Sequence, residues 1–216
     1  MRILASVLIL GLVTMGTSPD ISATQEPALS LGIRQVEEID WWETASAAPL
    51  PITVTPAQHF SARGPFDRNR ALWGGFVIEA GGLRILHAGD SGYGPHFGEI
   101  GAQLGPIDLA LLPIGAYEPR WFMRTLHINP AEAVQALEDL QARHAVAMHW
   151  GTFEMTDEPI DEPPRALARA LDAAGVPPER FLVMRHGETR RLAPLLRARI
   201  VRGGDCRAGK RSAAGC

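Results

Sequence analysis

The chain has 216 residues, a formal charge of −3 at neutral pH and 46% hydrophobic residues, enough for one substantial core. That near-neutral balance argues against nucleic acid as the main partner, which would favour a basic face or stripe. The 2 cysteines, Cys206 and Cys216, exclude a Cys-x-x-Cys metal site and a disulfide framework for the core.

Met1-Arg2 precedes ILASVLILGLV, an apolar run followed by small residues and turn formers. One positive charge, a short apolar segment and small residues together resemble a secretory signal, and export is the expectation. The run is short for a membrane-spanning helix, which needs about 20 residues; a buried core segment is the competing reading. The polar stretch 19–30 (PDISATQEPALS) reads as a linker, so 1–30 is set apart as leader and linker. The domain proper is expected over 31–193. From Arg197 onward the sequence has six Arg or Lys against one Asp, so 194–216 reads as a basic, solvated tail.

Within the domain, 52–55 (ITVT) is β-branched enough to predict a strand, which runs into the loop PAQHFSARGPFDRNR. Phe76-Val-Ile-Glu-Ala80 and Leu83-Arg-Ile-Leu-His87 flank Gly81-Gly82, a two-residue hairpin turn. The apolar run 107–113 predicts a strand buried on both faces. In 130–142, Ala133, Val134, Leu137 and Leu140 fall at helical spacing behind Pro130, so an amphipathic helix is expected. Strand 144–148, helix 164–174 closed by Gly175, and strand 181–184 follow. Strands alternating with helices after a hairpin predict an α/β domain with a mixed sheet.

His59, His127, His149 and Asp90 share a setting: each follows an apolar strand or lies at a loop-to-helix transition. Such strand ends are where α/β folds place ligands. Imidazole and carboxylate are the usual donors of a hydrolytic zinc site, and a carboxylate can bridge two metal ions. Asp90, in GDSGYGPHF, is read equally well as a turn former. Arg63, Asp67 and Arg68 are read either as contacts for an anionic phosphate or as a solvated loop. Trp41, Trp42, Trp73, Trp121 and Phe122 are read as a lipid-accepting groove or as core. His87 and His96 are expected to be structural or supporting, and Glu188 to pair with an arginine.

The segments DWWE, TPAQHFSARG, GGFVIEAGGLRILHAGDSGYGPHF, IDLALLPIGAYEPRWFM, LHINPAEAV, MHWGTF and GETRRL resemble the metallo-β-lactamase fold superfamily, and within it the N-acyl-phosphatidylethanolamine-hydrolysing phospholipase D-like group. The resemblance covers about three-quarters of the chain. It implies an αββα sandwich, present here as its C-terminal half, and a zinc-dependent hydrolase using one or two Zn2+ ions. By the same carry-over His59 would ligate the first metal, Asp90 would bridge both and His149 would belong to the second. His127 would face the substrate and join Asp90 in catalysis, with Arg63 and Tyr93 as further substrate contacts. The expected substrate is a small-molecule or lipid phosphodiester, with peripheral membrane contact as a further expectation. The family's His-x-His-x-Asp-His has no counterpart in this sequence, in which no histidine precedes His59. A non-catalytic remnant that binds at most one metal, or needs a partner chain, is therefore the second reading.

Overall fold

A computed structural model describes residues 37–45, 49–62 and 64–191. The apolar leader and the basic tail expected from the sequence lie outside the described residues, as does Arg63. The described residues up to Val183 form one compact unit, and those from Met184 another.

In the first unit six strands lie side by side in chain order: β1 (Ile52–Thr55), β2 (Gly75–Ala80), β3 (Leu83–His87), β4 (Leu109–Pro113), β5 (His144–Met148) and β6 (Phe181–Leu182). The first three pair antiparallel, and β3 to β6 pair parallel, the mixed sheet that the alternation of elements predicted. The β2–β3 turn falls on Gly81 and Gly82 at φ 60° and 77°, values that glycine reaches without steric cost. The register aligns Val77, Leu86, Ala110, Ala145 and Phe181 in one row across the sheet. All five are buried.

Helices α1 (His96–Leu104), α2 (Arg120–Met123), α3 (Pro130–Asp139) and α4 (Glu162–Ala174) complete the unit. Phe97 and Ile100 of α1, Val134 and Leu137 of α3, and Leu167 and Leu171 of α4 join that row in one core cluster. Burying side chains of this size removes about 1.5–3 kcal/mol of unfavourable hydration each. A smaller cluster sets Val54 against Ile39, with Trp41, Leu72 and Phe76 packed on it.

Two differences from the sequence reading have clear causes. Helix α1 lies in a stretch for which the sequence reading names no element, and its glycines serve packing. A Cβ at Gly101 would stand 2.3 Å from the Asp139 carbonyl oxygen, so α1 and α3 cross backbone to backbone there. Helix α3 stops earlier than expected because Gln141 turns left-handed, at φ 51°. Its start is well specified. Asn129 accepts the Glu132 N–H at 2.8 Å, and Glu132 accepts the Asn129 N–H at 2.9 Å, a reciprocal cap.

In the second unit Glu188 accepts from Arg185 N at 3.0 Å and pairs with Arg190 at 2.5 Å, as the sequence suggested. Among the described residues no helix is long and apolar enough to cross a membrane.

Candidate functional site

Because β1 and β3 are both antiparallel to β2, they run the same way, and β4 and β5 are parallel to β3. Four strands therefore end at one edge of the sheet. His59 follows β1, Asp90 follows β3 and His149 directly follows β5, while His127 arrives on the connection from α2 to α3.

The connecting loops are tied together by a few polar atoms. Ser91, fully buried, accepts the Gln58 N–H on its Oγ at 2.9 Å, and its carbonyl accepts the Ile128 N–H at 2.8 Å. The Gly92 N–H donates to Gln58 O at 2.8 Å, and the Gln58 side-chain amide donates to Thr125 O at 3.1 Å. The loops carrying His59, Asp90 and His127 thus share one hydrogen-bond network. Gly89, at φ 68°, makes the turn that releases Asp90 from its strand; a Cβ there would stand 2.6 Å from the Gly74 carbonyl. Turn and presentation of Asp90 are the same feature.

The imidazoles gather at this edge. His127 stacks on His149 with ring centroids 5.0 Å apart, and His59 meets His127 edge-on at 5.2 Å. His149 Nε2 lies 3.5 Å from Asp90 Oδ1. His127 is buried and its Nδ1 has no hydrogen-bond partner. Burial first, and then His149 beside it, push the His127 pKa down to about 4, so the ring is neutral at neutral pH. His59 Nδ1 lies 3.0 Å from Phe60 O and its ring stacks on Phe60, whose ring Arg68 also covers at 4.2 Å from the centroid.

These donors have the chemistry of a hydrolytic zinc site, but the arrangement does not yet make one. Asp90 and His149 approach as a pair, and the Nδ1 of His59 is taken by the Phe60 carbonyl. Among the described residues no group of three or more His, Cys, Asp or Glu side chains is gathered closely enough to hold a metal ion. The described residues therefore do not fit a closed metal site as they stand, since such a site needs at least about three protein ligands.

Beside His149 opens a cavity of about 330 Å³, walled by Trp150, Phe153, Met155, Ile160 and Pro163. Phe153 and Met155 are 75% and 76% exposed, and Trp121 and Phe122 also lie largely in solvent. The other tryptophans belong to the scaffold. Trp41 donates its indole N–H to Trp73 O, Trp73 donates to Ala57 O, and Trp42 packs on the main core.

Tyr93 stacks on Phe97 and donates its hydroxyl to the Asp139 carboxylate. Asp67 closes its own loop by accepting the Gly64 N–H at 2.7 Å. His96 Nε2 lies 3.0 Å from Ser91 Oγ, supporting the loop hub.

Three residues that sequence reasoning missed complete the surroundings. Arg120 holds the His127 carbonyl at 2.9 Å and clasps both Glu132 oxygens at 2.8 Å. Glu158 accepts three consecutive backbone N–H groups of the β4–α2 loop. The Asn-x-x-Glu cap spacing at 129–132 was a usable signal for Glu132. Arg120 and Glu158 carry none, because Arg120 pairs with a carboxylate twelve residues away and Glu158 with backbone N–H groups some forty residues away.

A family model described as the β-lactamase superfamily domain matches residues 10–150. Over 148 residues, 66% of this chain, the sequence is 43% identical to N-acyl-phosphatidylethanolamine-hydrolyzing phospholipase D 1 of Caenorhabditis elegans. It is 39% identical over 153 residues to the mitochondrial enzyme of the same description in Saccharomyces cerevisiae. The matches span 42% and 33% of those two proteins, less than half of either. Igni18, a metallo hydrolase of the archaeon Ignicoccus hospitalis, superposes with a TM-score of 0.57 at 26% identity, over 77% of this chain and 64% of that one. The metallo-β-lactamase fold protein YhfI of Bacillus subtilis gives 0.54 at 17% identity, over 79% of this chain and 61% of its own, a likeness of fold alone. The sheet, the strand-end histidines and these similarities lead to one conclusion: the chain belongs to the β-lactamase superfamily and has part of the metallo-β-lactamase fold.

Proposed function

We propose that the chain carries a hydrolytic site for a phosphodiester or related ester, of the type that the phospholipase D relatives are named for. The observation that supports it most is the gathering of Asp90, His127 and His149 at one sheet edge beside an apolar cavity. In this reading the Asp90 carboxylate orients His149. His127, kept neutral by burial, takes a proton from the water that bonds to phosphorus and returns it to the leaving oxygen as its P–O bond breaks. The cavity walled by Trp150 and Ile160 receives an apolar substituent of the substrate, and exposed Trp121, Phe122, Phe153 and Met155 rest against a lipid surface. Zinc is part of the proposal: Asp90 and His149 are the donors an ion would find, and His59, whose Nδ1 is held by the Phe60 carbonyl, would offer its other ring nitrogen.

The second reading is a non-catalytic chain that binds at most one metal or needs a partner chain. The absence of a three-donor group among the described residues favours it. Turnover of bis(p-nitrophenyl) phosphate by the full chain, with and without added zinc, separates the two. The hydrolase reading expects turnover and near-stoichiometric zinc. No turnover, with less than about 0.2 zinc per chain after dialysis, establishes the second reading instead.

A further inference from the structure

We infer that Glu158 is the positioning residue of the site, fixing where His149 stands relative to Asp90; this rests on His149 being a site residue. Glu158 lies between β5 and α4, and sequence gives no hint of its role. Its Oε1 accepts the N–H groups of Ala116 at 2.6 Å and Tyr117 at 3.2 Å, and its Oε2 accepts that of Glu118 at 3.0 Å. Hydrogen bonds to an ionised carboxylate are stronger than neutral ones, and three in succession fix a loop in position and direction.

The loop held this way would not hold its shape unaided. Ala116 stands at φ 61°, in the left-handed region that disfavours a Cβ. His149, across from it, stands at φ 58°. The two chain segments meet one residue before Ala116, largely through backbone. The Ile114 N–H donates to Met148 O at 3.1 Å. Gly115 lies against the His149 carbonyl so closely that a Cβ there would stand 2.3 Å from the oxygen and 3.2 Å from Trp150 Cα. The backbone of 114–115 is therefore the surface on which the backbone of His149 rests, and the clamped residues 116–118 follow it directly. The clamp that holds 116–118 in place sets the height of the imidazole, and with it the 3.5 Å approach of Nε2 to Asp90. The segment is tied back again where Asp157 N donates to Glu118 O at 3.4 Å. Glu158 also shares the wall of the apolar cavity with His149.

The test compares the full-length wild type with E158Q and with R180Q. Arg180 holds the carbonyls of Ala142 and Arg143 and takes no part in the site. Melting temperature, the backbone amide resonances of 116–118, the His149 ring resonance (assigned with H149N), and kcat and KM for bis(p-nitrophenyl) phosphate are read for each. Both variants are expected to melt lower. Only E158Q should shift the three amides and the His149 ring, and lower kcat by about 10-fold or more with KM changed by less than about 2-fold, since small misplacements of a reacting group are costly. If E158Q folds poorly, A116G/E158Q takes its place: glycine accepts the left-handed turn and restores melting, while the His149 ring resonance stays displaced. An unshifted His149 ring in a folded E158Q, or in the double variant, overturns the inference. If the wild type has no turnover, the hydrolase reading fails by itself and the ring resonances still decide the role of Glu158.

Discussion

Lowering the pH from 7 to 5 should destabilise this protein through His96, and replacing His96 by Gln should remove that part of the loss. Burial alone holds the His96 imidazole at about 4, whereas in an unfolded chain it titrates near about 6.5. Above that higher value the ring is neutral in both states and contributes nothing. As pH falls through it, the unfolded chain takes up a proton that the buried ring refuses, so stability is lost until pH reaches about 4, where the loss is complete. For a gap of this size the linkage relation gives about 2 kcal/mol at pH 5 and about 3 kcal/mol at its limit. His127, also held at about 4, acts in the same direction, so the wild type should lose up to about 4 kcal/mol at pH 5. Gln can offer an amide where His96 Nε2 meets Ser91, although it gives up the packing of the ring on Phe97 at 4.2 Å. That packing loss is the same at both pH values and cancels in the comparison. Urea unfolding followed by tryptophan fluorescence, at pH 7 and pH 5, supplies the four free energies. H96Q should lose about 2 kcal/mol less than the wild type between them. Equal losses in the two proteins would refute the assignment of a buried, neutral His96.

Three further predictions follow from packing and charge. Gly101→Ala drives a Cβ into the Asp139 and Leu140 backbone and should cost about 1–3 kcal/mol in urea unfolding, whereas Gly98→Ala, whose Cβ meets nothing within 4 Å, should gain about 0.5–1 kcal/mol from helix propensity. Both tyrosines are pushed up to about 12, each mainly by burial, and these are the only 2 in the chain. Tyrosinate absorbance at 295 nm should therefore reach only about a tenth of its maximum at pH 11 in the native protein, against about nine-tenths in urea. Arg120→Ala removes the bidentate pair with Glu132 and the donor to His127 O. It should cost about 1.5–3 kcal/mol by urea unfolding and shift the His127 ring resonance, while a loss below about 0.5 kcal/mol would show the pair to be solvent-screened.

What the sequence made legible was whatever depends on local pattern. The strand 144–148 was read at its true bounds and the hairpin turn at its true residues, because period-two burial and positive φ are written in adjacent residues. Asp90, His127 and His149 were legible as strand-end residues, and the structure brings them together. Helix α1 was not, because Gly94, Gly98 and Gly101 suggest a loop to any propensity argument, and only the crossing with α3 explains Gly101. Tyr93 read as a substrate contact, yet its hydroxyl is committed to Asp139, a partner in another element with no sequence signal. Glu158 acts on backbone amides that every residue possesses, so nothing in the spacing of side chains could reveal it. Long-range polar contacts to backbone are what the sequence conceals.

The central claim is that Asp90 and His149 act as one unit at the edge of the sheet, and a double-mutant cycle on turnover tests it most directly. With the full chain and bis(p-nitrophenyl) phosphate, D90N and H149N are each expected to lower kcat/KM by about 10²-fold or more, and the double variant to fall no further than the worse single by more than about 3-fold, as residues acting as a unit do. Folded single variants that retain wild-type turnover, or losses that simply multiply in the double variant, would contradict it.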